Sequence, residues 1–223
     1  MPQAFSFIRA RAFAVAAAAL LVFAAVLLQF PLFDYLGYEF SATIALLLPW
    51  VVWIPVRRAF SRWRDSADSV GLLARSVAIP TAGLLAVPLG LALVNILVVK
   101  NCAVGEGFLY YCLIPGVTMI WSVTLALWCC LMFRRPWRAY LSVLLLVLAY
   151  PLILGYASPQ IFSFNPVYGY FPGFSYDEVV RITPTFLLFR VTTLLHVALL
   201  AVSASMIADR SVLNERFFRK LTV

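Results

Sequence analysis

Charge is what this 223-residue chain has least of. Asp, Glu, Lys and Arg make up 12% of it, about half the share that a water-soluble domain carries. With 64% hydrophobic residues and a mean hydropathy of +0.98, a disordered chain and an ordinary soluble core are excluded. No hydrophilic stretch is long enough for a soluble catalytic domain. Histidine occurs once, at His196, and neither H-E-x-x-H nor C-x-x-C is present, which removes the common zinc and thioredoxin-like sites. A G-x-x-x-x-G-K-[ST] loop is also missing, so nucleotide hydrolysis through a P-loop is not expected. No metal, cofactor or catalytic residue is assigned, and enzymatic activity has no motif behind it.

What the chain does have is long apolar runs. A helix crossing the hydrocarbon core needs about 20 mostly apolar residues, because unpaired backbone groups are not tolerated in lipid. Six runs qualify: 12–30, 41–56, 77–99, 113–133, 140–155 and 184–208. The first, preceded by Arg9 and Arg11, is too long for the core of a signal peptide, which spans about 7–15 residues. The expectation is a single all-α domain, 1–223, built as a polytopic membrane bundle of six transmembrane helices. Prolines inside the spans, at Pro49, Pro80, Pro88 and Pro151, mark kinks whose freed carbonyls can face a cavity.

Charge also gives the orientation. Fourteen of the 17 basic residues fall before the first span, after the second, after the fourth and after the sixth. The opposite connections hold Asp34, Glu39, Glu106, Asp177 and Glu178 against Lys100 and Arg181. By the positive-inside bias both termini lie in the cytoplasm of a bacterial inner membrane. The net charge of +8 is then a topology signal, and nucleic acid is not an expected partner. Cys102 and Cys112 flank an outward segment, 101–111, where an oxidising periplasm would join them in a disulfide; two unlinked thiols are the alternative.

Two connections exceed what a turn requires. The inner one, 57–76, mixes Arg57, Arg58, Arg62 and Arg64 with Phe60 and Trp63. This suits a helix lying on the membrane surface, either as a topology anchor or as a docking element for a partner. The outer one, 156–183, is broken by Pro159, Pro166, Gly169, Pro172 and Gly173 and is dense in aromatics. Its prolines and glycines preclude a regular helix, and its aromatics predict a structured cap on the outer face. Asn165, Tyr168, Tyr170, Phe171 and Tyr176 are its candidate site residues, with the alternative that they only pack.

Arg190 is the one charge well inside a span. Burying it costs about 2.5 kcal/mol or more unless it is paired. An ion pair with Asp177 or Glu178 would fix the cap to the sixth helix, and an anion-binding or gating role is the other reading. His196 does not share a helix face with Arg190, so it is a candidate for a polar cavity or an interhelical bond. Asn95, Thr118 and Thr124 are polar groups in spans three and four that read as packing contacts or ligands.

The arrangement resembles the permeases of ABC-2-type exporters, with a coupling helix between spans two and three and re-entrant outer structure between spans five and six. This resemblance implies that 57–76 meets a separate ATPase subunit and that the protein works as a dimer. The stretch NPVYGYFPGFSYDE, residues 165–178, with Asn101-Cys102, is similar to the membrane region that precedes the peptidase domain in some bacterial gluzincin-like proteins. That domain is absent here, so peptidase activity is not implied. The expected function is the membrane subunit of a transport complex. A non-catalytic scaffold of a larger complex and an enzyme acting at the outer face are the rivals. Lipid and other protein subunits are the expected partners.

Overall fold

The fold is that of a computed structural model, which describes residues 10–65, 70–100, 103–157, 163–171 and 181–221. It consists of α1 (Ala10–Leu27), α2 (Tyr38–Asp65), α3 (Val70–Asn95), α4 (Val104–Met132), α5 (Pro136–Ala157), a short antiparallel hairpin of β1 (Ser163–Asn165) and β2 (Gly169–Phe171), and α6 (Pro184–Leu221). Helices α2 to α6 are long and apolar enough to cross a membrane, and α1 is a shorter apolar helix over Arg11–Leu27. At 1.5 Å per residue α1 reaches about 26 Å, near the lower limit for a span.

The outward surface of the bundle is as apolar as its interior. Leu146, Leu188 and Leu199 are 71%, 65% and 68% exposed. In water each would forfeit about 1.5–3 kcal/mol of burial; against lipid tails the loss vanishes. Without a hydrophobic drive between helices, association depends on close packing and interhelical hydrogen bonds. Helices α2 and α4 pack together at the centre, with α1 on α2 and α3, and α5 and α6 on α4.

Helix α2 corrects the reading of the inner connection. Its buried side chains, Phe40, Ile44, Leu48, Val52, Val56, Ala59 and Trp63, recur every three or four residues, the spacing of one helix face. That stripe continues past Arg57 and Arg58, so 57–65 extends α2, and 70–76 opens α3 with Leu73 and Ser76 buried. The segment therefore does not form a separate surface helix. Prolines 49, 55, 80 and 88 sit inside α2 and α3 without ending them. Phenols from neighbouring helices brace these stretches: Tyr140 donates to the Pro49 carbonyl at 2.9 Å, and Tyr111 to the Leu85 carbonyl at 2.7 Å.

Tyr140 is fully buried and stacks on Trp53, with ring centroids 4.8 Å apart. Tyr140→Phe keeps that packing and removes one interhelical bond. It is expected to lower stability by about 1 kcal/mol, read as a small shift of the thermal unfolding midpoint in detergent; a shift as large as that of a core cavity would refute the assignment.

Helix α4 corrects the outer segment 101–111. Val104–Tyr111 is helical and passes through a π-helical segment, Cys112–Gly116, into Val117–Met132. Pro115 lies in that segment, and a π-bulge is one way for a helix to accommodate a residue without an N–H. Cys112 is thus about 12 Å along a helix from Val104 rather than at the foot of a loop. Its thiol is free and exposed, so the expected bridge is not present. Its expected partner, Cys102, lies outside the described residues.

Candidate functional site

The hairpin between α5 and α6 pairs Ser163 with Phe171, Phe164 with Tyr170 and Asn165 with Gly169. Three residues, Pro166, Val167 and Tyr168, form its tip. Gly169 follows with φ at +91°, the positive φ that often closes a three-residue hairpin loop. The tip does not lie over the bundle as a cap. It enters the bundle, and Asn165 and Val167 are completely buried.

Irregular backbone is tolerated at membrane depth only where its polar groups find partners inside the protein, and here several of those partners are side chains of the bundle. Val167 N–H donates to Asn165 Oδ1 at 2.7 Å. The Thr118 hydroxyl, midway along α4, donates to the Val167 carbonyl and lies 3.3 Å from that of Pro166. Arg190 Nη1 donates to the Pro166 carbonyl at 2.8 Å. The Tyr38 hydroxyl donates to the Tyr170 carbonyl. Asn165 Nδ2 donates to the Val147 carbonyl at 2.7 Å. Val147 is four residues before Pro151, which has no N–H to offer that carbonyl. The kink in α5 thus frees an acceptor midway along the helix, and the hairpin satisfies it.

An aromatic shell encloses the strands. Phe164 stacks on Phe189 at 5.2 Å, Tyr170 meets Phe186 at 5.3 Å and Tyr38 at 5.2 Å, and Tyr38 meets Tyr110 at 5.9 Å.

Arg190 is the chemically distinctive member. It is 2% exposed, one turn past Phe186, whose ring face lies 5.3 Å from its Cζ. A Cβ on Gly169 would stand 2.8 Å from Nη2, so the missing side chain there leaves room for the guanidinium. Only Nη1 has a hydrogen-bond partner; Nε and Nη2 are buried without one among the described residues. The bond that fixes the hairpin to α6 goes to a main-chain carbonyl. The expected ion-pair partners Asp177 and Glu178, with Tyr176, lie outside the described residues.

The remaining candidates fall elsewhere. His196 is exposed on the outward face of α6, away from buried Thr193 and Val197, so it does not face an internal polar cavity. Its neighbour Thr192 bonds to the Phe189 carbonyl instead. Asn95, at the end of α3, donates to the Asp34 carbonyl and ties α3 to the α1–α2 link. Tyr168 is half-buried at the hairpin tip, and Phe171 ends β2. Of the arginines expected to meet a partner, Arg57, Arg58 and Arg64 are exposed and Arg62 is half-buried. Trp63 is buried against Phe60, with centroids 5.6 Å apart, and presents no docking face. Among the described residues, no group of three or more His, Cys, Asp or Glu could hold a metal ion.

The hairpin site thus unites Asn165, Tyr170 and Arg190 with Thr118, Tyr38, Gly169 and the Val147 carbonyl. Tyr38 and Gly169 carried no recognisable signal on their own. Comparison with known proteins found no matching family model, no similar curated protein and no similar solved structure.

Proposed function

We propose that this multi-pass membrane protein is the membrane subunit of a transport complex, and that Arg190 is its anion-binding or gating residue. The observation that carries the reading is the buried guanidinium, two of whose nitrogens have no partner among the described residues, beside a non-helical hairpin. An ionisable group inside a membrane helix is costly and marks substrate pathways more often than structure. Re-entrant backbone at that depth is a recurring device of transporters. An incoming carboxylate or phosphate would satisfy Nε and Nη2 with charge-assisted bonds stronger than the single one to the Pro166 carbonyl.

In this reading both termini are cytoplasmic in a bacterial inner membrane. A separate ATPase docks on the arginine-bearing end of α2, where Arg57, Arg58 and Arg64 are exposed. Purification from native membrane tests it. An ATPase that accompanies the wild type, with turnover at least about tenfold lower (1.4 kcal/mol) in Arg190→Gln at equal assembly, is the expected result. A stable larger complex without turnover would point to a scaffold instead, and unchanged turnover in the variant would remove Arg190 from the site.

A further inference from the structure

Helices α3 and α6 barely meet, and α4 lies behind them. The gap is a groove of about 610 Å³ whose walls include Ala78, Ala82, Val123, Leu127, Leu194 and Ala201. On α4 the lining runs from Phe108 to Leu131, about 35 Å along the helix, which matches the full hydrocarbon thickness of about 30 Å. The few hydroxyls on its walls are already committed. Thr81 donates to Val77, Thr124 to Ile120, Ser205 to Val202 and Tyr111 to Leu85, each to a main-chain carbonyl at 2.7–2.9 Å. Their oxygens can still accept, but apart from the weak thiol of Cys112 the side chains of the lining offer a polar solute no free donor. The lining suits hydrocarbon.

Charge narrows it further. The end of the groove marked by Leu73, Ala74 and Leu131 is flanked by exposed arginines: Arg75 on α3, and Arg134 and Arg135 directly after α4. Arg75 projects within about 20° of Ala82 and about 40° of Leu89, on the groove side of α3. Neither α3 nor α4 carries an acidic residue at that end; on α6, Asp209 follows the lining residue Ser205 by one turn and is itself followed by Arg210. Asp65 closes α2, which does not line the groove.

We infer that this groove is a binding site for an anionic phospholipid, with an acyl chain between α3, α4 and α6 and its phosphate held by Arg75 and Arg134. Phosphatidylglycerol and phosphatidylcholine with identical acyl chains are the probes, and native mass spectrometry of the protein released from mixed micelles is the readout. The wild type is expected to retain phosphatidylglycerol at least about fivefold over phosphatidylcholine. The Arg75→Gln/Arg134→Gln variant should retain both equally. Ala82→Phe, at an exposed position that leaves the core untouched, should lose both. Equal retention of the two lipids by the wild type, or an unchanged preference in the arginine variant, overturns the charge assignment. Undiminished retention in Ala82→Phe overturns the groove. A photo-crosslinker at position 82 should give lipid adducts; protein adducts would assign the groove to a partner subunit and sink the inference.

Discussion

Replacing Gly107 by alanine is expected to unfold the end of the bundle where α4 begins. Gly107 is buried in the first two turns of α4. A Cβ there would overlap the Leu36 carbonyl oxygen and come within 2.7 Å of its carbon. Both are main-chain atoms, so no rotamer change relieves the clash, and the α1–α2 link would have to move. That link is fixed in turn by the Leu36 side chain, 1% exposed, and by the bond from Asn95 to Asp34. Overpacking against rigid backbone belongs at the severe end of the range, about 3 kcal/mol or more. Gly105→Ala is the control. It adds the same methyl to the same helix where nothing lies within 4 Å, and helix propensity predicts neutrality or a gain of up to about 1 kcal/mol. Thermal unfolding in detergent should separate the two variants widely; similar midpoints would refute the close approach.

Gly107 also shows why part of this fold could not be read from the chain. The segment 101–111 lies between two apolar runs and reads as a connection, yet Gly107 lets α4 touch the backbone of the α1–α2 link. Composition suffices to identify lipid as the solvent, because the penalty for exposing Leu188 or Leu199 to water is large and general. Pro49, Pro80 and Pro88 lie inside helices as expected of spans, because lipid offers the backbone no partner that would let a helix end there.

The hairpin was half legible. Its aromatics and its Asn-Pro pair signal an ordered, non-helical segment, and Arg190 stands out as a charge within a span. That the segment enters the bundle does not follow from the residues. The groups that receive it, at Val147, Pro166 and Val167, are main-chain carbonyls, and an acceptor common to every residue leaves no mark in a sequence. From sequence alone Asp177 and Glu178 are therefore the visible partners for Arg190, whereas among the described residues its bond goes to the Pro166 carbonyl.

Asn165→Leu is expected to release the hairpin. Asn165 is wholly buried and joins two groups that have no substitute partner. Its Oδ1 accepts from Val167 N–H, and its Nδ2 donates to the Val147 carbonyl that Pro151 has freed. Leucine keeps the bulk and removes both bonds. Each orphaned group costs about 1–3 kcal/mol in a buried site, so a loss of about 3 kcal/mol is expected for the pair, along with rapid deuterium exchange at 163–171. The two halves of that loss are separable. Pro151→Ala returns an N–H to the Val147 carbonyl, so Asn165→Leu should cost less in that background, by about 1–2 kcal/mol in a double-mutant cycle. The part due to Val167 N–H should persist. If the two substitutions are strictly additive, Asn165 does not satisfy the carbonyl freed by the kink in α5, and the hairpin is held at its tip by Thr118 and Arg190 alone.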